Sequence, residues 1–212
     1  MNPSCTIERQ QPKDRVLELF NQSIALKKKI IEQNCLSVLV DMADLITKHI
    51  IEGGTLYFCG NGGSAADAQH LAAELLVRLR PHVNRRSIPA LSLATDVSSL
   101  TACGNDYSFD EIFSRNLSGL GKQGDMVLGI TTSGRSPNVL KAFDVAREMG
   151  IKTLGFLGGA KDGEPALSKC DLAFVVPSSD TGRIQEAHIT AGHALMELVE
   201  DMLILKGYAK KG

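Results

Sequence analysis

Apolar residues recur at helical spacing from residue 14 to 33, where Val16, Leu17, Leu19, Phe20, Ile24, Ile30 and Ile31 form the set. They recur again from Leu36 to Ile51, with Val38, Leu39, Met42, Leu45, Ile46 and Ile50, before Gly53-Gly54. This pattern predicts two amphipathic helices. Their apolar sides need a partner, either the rest of the domain or a second copy of the chain. Beyond residue 54 the pattern changes to short, continuous apolar runs alternating with helical stretches. Strands are predicted at Thr55–Cys59, Pro89–Thr95, Met126–Thr131, Lys152–Leu157 and Asp171–Val176. Helices are predicted from Ala65, after a cap at Asp96 or Ser98, over Phe109–Leu120, over Pro137–Met149 with proline in the first turn, and over Arg183–Leu205. Cys103-Gly-Asn-Asp106 is expected to break the helix that follows Asp96.

Unbroken apolar strands alternating with helices imply an α/β fold with a five-stranded parallel sheet covered on both faces. The expected organisation is one domain over residues 1–212, with a helical arm at about 14–51 and an α/β core at about 52–206. Ligands of such sheets bind beyond the carboxyl ends of the strands. Three polar turns are expected there: residues 60–64, 103–106 and 131–136. Gly158–Gly163 reads as a flexible loop without assigned chemistry.

Composition narrows the class. With 43% hydrophobic and 22% charged residues the chain is ordinary globular material. A net charge of −1 gives no basic footprint for nucleic acid. The five cysteines, at 5, 35, 59, 103 and 170, include no C-x-x-C and read as reduced thiols of a cytoplasmic protein. The N-terminus is polar, without the apolar core of a signal peptide, and no apolar run approaches the length of a membrane span.

Three stretches carry chemistry. In the first, a strand meets Gly60-Asn61-Gly62-Gly63-Ser64 and then a helix, an arrangement in which backbone N–H groups hold an anion. The acidic residue of a dinucleotide site is missing, and so is the G-K-[ST] of a P-loop. On that helix His70 and Glu74 are four residues apart and share a face, on which Glu74 reads as the only carboxylate. The second stretch, Thr131-Thr132-Ser133-Gly134-Arg135-Ser136, places four hydroxyls and one cation where a helix begins. This is more than a helix cap needs, and it suits a phosphomonoester. In the third, RIQEAHITAGH, Gln185, Glu186, His188 and His193 interrupt an apolar stretch. Gln185 and His193 lie about 12 Å apart along the axis. One ion reaches both only from between them, or neighbouring subunits supply them. With His70 and Glu74 they make an N/O set suited to zinc or another divalent cation.

The segments CGNGGSAADAQHLAAEL, SLATDVSSLTACGNDYSFDEIFSR, GITTSGRSPNVLKAF and RIQEAHITAGH, in this order, resemble the sugar-isomerase (SIS) domain family and, within it, the phosphoheptose isomerases. The resemblance covers nearly the whole chain from about residue 14. It implies a flavodoxin-like three-layer αβα sandwich, a homotetramer with active sites near subunit interfaces, and one zinc per subunit. The implied activity is conversion of sedoheptulose 7-phosphate to D-glycero-D-manno-heptose 7-phosphate for the lipopolysaccharide core.

Residue by residue, it implies that Asn61, Gly62 and Gly63 lie along the substrate and that Ser64 helps with phosphate. Asn105 and Asp106 would bind sugar hydroxyls, and Thr131, Thr132, Ser133 and Ser136 the phosphate. His70, Glu74, Gln185 and His193 match the family's zinc ligands, and Glu74 and His193 its acid–base pair. Thr131 replaces a serine of many relatives and keeps the hydroxyl, whereas Gly182 replaces an aspartate of some and passes on no side-chain role.

Two other functions fit the same domain. A non-catalytic relative binds the bacterial replication initiator but lacks the carboxylate and imidazole present here at Glu74 and His193. Sensory relatives bind a sugar phosphate and usually carry an attached second domain, for which 212 residues leave no room.

Overall fold

The computed structural model describes residues 11–159 and 165–208. Expectations for Cys5 and for most of the Gly158–Gly163 loop lie outside the described residues. Two helices, α1 (Pro12–Glu32) and α2 (Ser37–Ile51), precede the alternating part. Then come β1 (Leu56–Gly60), α3 (Gly63–Leu76), β2 (Ala90–Ser92), α4 (Val97–Asp106) and α5 (Ile112–Leu120). The chain continues through β3 (Met126–Thr131), α6 (Pro137–Glu148), β4 (Lys152–Gly158), β5 (Leu172–Val176) and α7 (Thr181–Leu205).

All strand pairs are parallel, in the order β2-β1-β3-β4-β5. The period-2 alternation of each strand sorts its side chains into two cores. Leu56 and Phe58 of β1, with Leu128 of β3 and Phe156 of β4, face α1, α2, α3 and α7. Tyr57, Cys59 and Val127 face α4, α5 and α6. Strand order reverses at β1, so the ligand crevice of this topology opens beyond the carboxyl ends of β1 and β3.

The two N-terminal helices divide the roles that the sequence leaves open. In α2, Met42, Ala43, Ile46 and Ile50 are fully buried in the protein's own core. In α1 only Leu26 and Ile30 are buried, while Val16, Leu17, Phe20, Ile24 and Ile31 stay exposed, Phe20 at 67%. Helices α3 and α7 pack at close range through Gly192, where a Cβ would lie 2.7 Å from the Leu71 Cδ1.

The structure corrects several boundaries. Residues 103–106 do not break α4 but form its last turn, so they are no polar turn at the sheet edge. Gly, Asn and Asp are weak helix formers, yet Asp96 caps the helix by accepting from Ser98 N, and Cys103 is buried in the second core. Packing overrides propensity here. Helix α3 starts at Gly63 rather than Ala65, because Gly62, at φ +55°, makes the turn by itself. Ser64 thereby enters the first helical turn and is buried. Strand β2 stops at Ser92, where two hydroxyls bend the chain: Thr95 Oγ1 donates to Ser92 O at 2.9 Å, and Ser92 Oγ accepts from Ala94 N at 3.2 Å.

His188 of α7 is a core histidine. It is fully buried beside the rings of Phe156 and Phe174, and its Nε2–H donates to Leu157 O at 3.1 Å. Burial pushes its pKa from 6.5 down to about 4. The unfolded chain therefore takes up this proton at a higher pH than the folded one. Its contribution to stability is intact above pH 6.5 and is lost as pH falls from 6.5 toward 4. The loss reaches about 3 kcal/mol at pH 4. Urea unfolding of wild type and His188→Leu at pH 7, 5.5 and 4 should show a shallower acid decline in the variant.

Candidate active site

The glycine turn is built by close backbone contacts. A Cβ at Gly60 would lie 2.7 Å from Ser64 O and 2.9 Å from Ile130 O, so only glycine fits where β1 leaves the sheet. Asn61 O and Gly62 O then accept the first N–H groups of α3, from Ser64 at 3.0 Å and Ala65 at 3.1 Å.

Across the crevice the end of β3 delivers the hydroxyl loop. Thr131 Oγ1 lies 3.0 Å from Ser136 Oγ and 3.4 Å from Ser133 Oγ. Ser133 Oγ accepts from Arg135 N at 3.2 Å. Ser136 is the N-cap residue of α6, but its side chain makes no capping bond. The hydroxyl is turned inward to Thr131 instead, so the loop is organised around its own hydroxyls rather than as a helix cap.

The third group lies on α3 and α7. His70 Nε2 is 2.8 Å from His193 Nε2 and 3.2 Å from Glu74 Oε1. Ligand atoms of His70, Glu74 and His193 all lie within 4.8 Å of one another. Two imidazole nitrogens and one carboxylate that converge in this way fit a divalent cation.

Gln185 reaches the start of α3. Its carboxamide lies against Gly63, where a Cβ would meet Nε2 at 2.7 Å. His70, Glu74 and His193 of the expected ligand set converge, and Gln185 lies at the glycine turn that opens the helix carrying His70 and Glu74. Asn105 and Asp106 are exposed at the end of α4, where Asn105 Nδ2 donates to Asp106 Oδ1 at 2.7 Å.

Sequence reasoning missed three features. Asp67 also lies on the His70 face, three residues before His70, so Glu74 is not its only carboxylate. Asp67 Oδ2 is buried without a partner. Burial pushes its carboxyl above the usual range, and the nearby His70 and His193 pull it partly back. The spacing signal was present.

The second feature is Arg85. Fully sequestered, it donates from Nη2 to Glu74 O at 2.7 Å, from Nη1 to Leu75 O at 2.8 Å, and from Nε to Glu200 Oε1 at 2.5 Å. Arg80 Nε donates to the other Glu200 oxygen at 2.6 Å. These bonds tie the carboxyl end of α3 to α7, the two helices that carry the His–Glu–His group. No local signal links positions 85 and 200. The third feature is Asn138, fully buried at the start of α6, whose side chain bonds that of Asn61.

With this geometry in place, comparison with known proteins gives one consistent result. Residues 18–158 match the SIS domain family. The phosphoheptose isomerase of Thermodesulfovibrio yellowstonii is 46% identical, over 93% of this chain and 96% of its own length. That of Chlorobaculum parvum is 50% identical, over 92% of this chain and 90% of its own. The solved phosphoheptose isomerase of Neisseria gonorrhoeae superposes with a TM-score of 0.82 at 37% identity, covering 90% of this chain and all of that one. The chain belongs to the SIS-domain family and, within it, to the phosphoheptose isomerases.

Proposed function

We infer that this protein is an aldose–ketose isomerase that converts sedoheptulose 7-phosphate to D-glycero-D-manno-heptose 7-phosphate, the first step toward the ADP-heptose of the lipopolysaccharide core. The observation that carries the reading is the convergence of Glu74 with His70 and His193 in a chain of this family. Moving a carbonyl between C2 and C1 requires a proton to leave one carbon and return to its neighbour through an enediol. Glu74 is the carboxylate that shuttles this proton, and the His193 imidazole exchanges protons with the oxygens. Thr131, Thr132, Ser133 and Ser136 hold the phosphate, assisted by Ser64. The main chain of Asn61, Gly62 and Gly63, with Gln185 beside it, lines the sugar, and Asn105 and Asp106 reach its hydroxyls.

His70, Glu74 and His193 would hold one zinc per subunit, with Gln185 the fourth ligand of the family pattern. Zinc bound there supplies positive charge to stabilise the developing enediolate. The exposed apolar face of α1 supports a homotetramer, since monomers rarely leave such a surface uncovered. Light scattering tests that assembly. Among the described residues no helix is long and apolar enough to cross a membrane, and Cys35, Cys59, Cys103 and Cys170 are unpaired, which supports a cytoplasmic location. No nucleic-acid partner is proposed, in keeping with the net charge of −1.

The test is incubation with sedoheptulose 7-phosphate, followed by NMR for the aldoheptose product. A strong chelator should abolish turnover and zinc should restore it. Absence of product with the zinc-supplied protein would overturn the isomerase reading. Elemental analysis showing no bound metal after zinc supply would remove the ion and leave Glu74 and His193 as a metal-free acid–base pair.

A further inference from the structure

Beyond the last register pair of β1 and β3, Gly60 with Ile130, the two strands part and their loops form the walls of the crevice. One pair of side chains spans it. Asn61 Nδ2 donates to Asn138 Oδ1 at 2.8 Å, and Asn138 Nδ2 donates back to Asn61 Oδ1 at 2.8 Å. Asn138 Oδ1 also accepts from Val139 N at 3.0 Å, which fixes the amide to the first turn of α6. Asn138 is 1% exposed, so this amide depends on these bonds for its polar atoms. Asn61 belongs to the glycine turn that starts α3, and Asn138 directly follows the hydroxyl loop.

We propose that Asn138 is a positioning residue of the isomerase, and that its reciprocal amide pair with Asn61 is a strut holding the glycine turn at a fixed distance from the phosphate-binding hydroxyls. The proposal rests on the function inferred above. The phosphate of the substrate and its reacting carbons sit at opposite ends of a seven-carbon chain. Gripping the phosphate places those carbons correctly only if the two walls keep their spacing. The strut also decides what Asn61 offers the substrate. Asn138 takes one N–H and one lone pair of the Asn61 side chain, which fixes the orientation of the carboxamide and leaves one donor and one acceptor for the sugar beside the main chain. An aspartate at 138 would lose the donor, set a carboxylate against Asn61 Oδ1 and bring negative charge beside a loop that binds an anion.

The test is steady-state kinetics with sedoheptulose 7-phosphate on wild type, Asn61→Ala, Asn138→Ala and the double variant, with competitive inhibition by inorganic phosphate measured on each. If the strut positions the substrate, each single variant loses about 10- to 100-fold in kcat/KM, mainly in kcat, because small misplacements of reacting atoms are costly. Inhibition by inorganic phosphate, which needs only the hydroxyl loop, should change less than about threefold in Asn61→Ala, and the double variant should be no worse than the poorer single one, as for two ends of one interaction. Losses that multiply in the double variant would mean separate roles and overturn the proposal. So would wild-type kcat in either single variant. Should Asn138→Ala fail to fold, Asn61→Ala, whose side chain is only partly buried, still decides through its split between kcat and phosphate inhibition. An inactive wild type would instead overturn the inferred function, so the two failures are distinguishable.

Discussion

Glu74→Gln should abolish isomerisation in a protein that remains folded. Glu74 is partly buried, with 16% of its side chain exposed, and lies 3.2 Å from His70 Nε2 within the group that includes His193. Glutamine keeps the size and the hydrogen-bonding reach but accepts no proton from carbon. A positioned base contributes about 10²- to 10⁴-fold, and in the proposed mechanism the same residue also returns the proton, so the loss should lie at the upper end. The backbone has little reason to move, since the Arg85 guanidinium holds Glu74 O whatever the side chain is. Turnover by NMR, beside a thermal melt, decides it: near-normal kcat with a normal melt would remove Glu74 from the chemistry.

The largest effect on stability is expected for Glu200→Ala. The side chains of Arg85 and Glu200 are each 1% exposed, and the carboxylate also takes Arg80 Nε. Removing one partner of such a pair leaves an uncompensated buried charge and costs about 3–5 kcal/mol. Urea unfolding should show that loss. Replacing both partners, in Arg85→Met with Glu200→Met, should recover only a small part of it, because the buried charge is gone but Glu74 O, Leu75 O and Arg86 O lose their donor. A single variant within about 1 kcal/mol of wild type would mean that water reaches the guanidinium and that the pair is no stronger than a surface one.

How far the sequence carried the reading depended on the range of the interaction. Runs such as Met126–Thr131 are buried on both faces, so their strand character was visible locally, as was the parallel α/β class. The four hydroxyls from Thr131 to Ser136 and the spacing of His70 and Glu74 were visible for the same reason. Residues 103–106 misled because Gly104, Asn105 and Asp106 signal a turn, while the burial of Cys103 that keeps them helical is tertiary. Partners distant in sequence left no trace at all: Arg85 with Glu200, Asn61 with Asn138, and Gln185 with Gly63. Asp67 is different, since its spacing from His70 was legible and only its burial was not.

The contact at Gly192 bears on which substitutions this site can tolerate. Every alternative residue adds at least a carbon, and that carbon would meet Leu71, which is fully buried and has little room to swing away. The helices would have to separate. His193 follows Gly192 directly, and His70 directly precedes Leu71, so the displacement would reach the two imidazoles first. Position 192 is therefore closed to drift for a reason unrelated to its own chemistry. Variants there would be lost through a widened gap between His70 and His193 well before the helices themselves gave way.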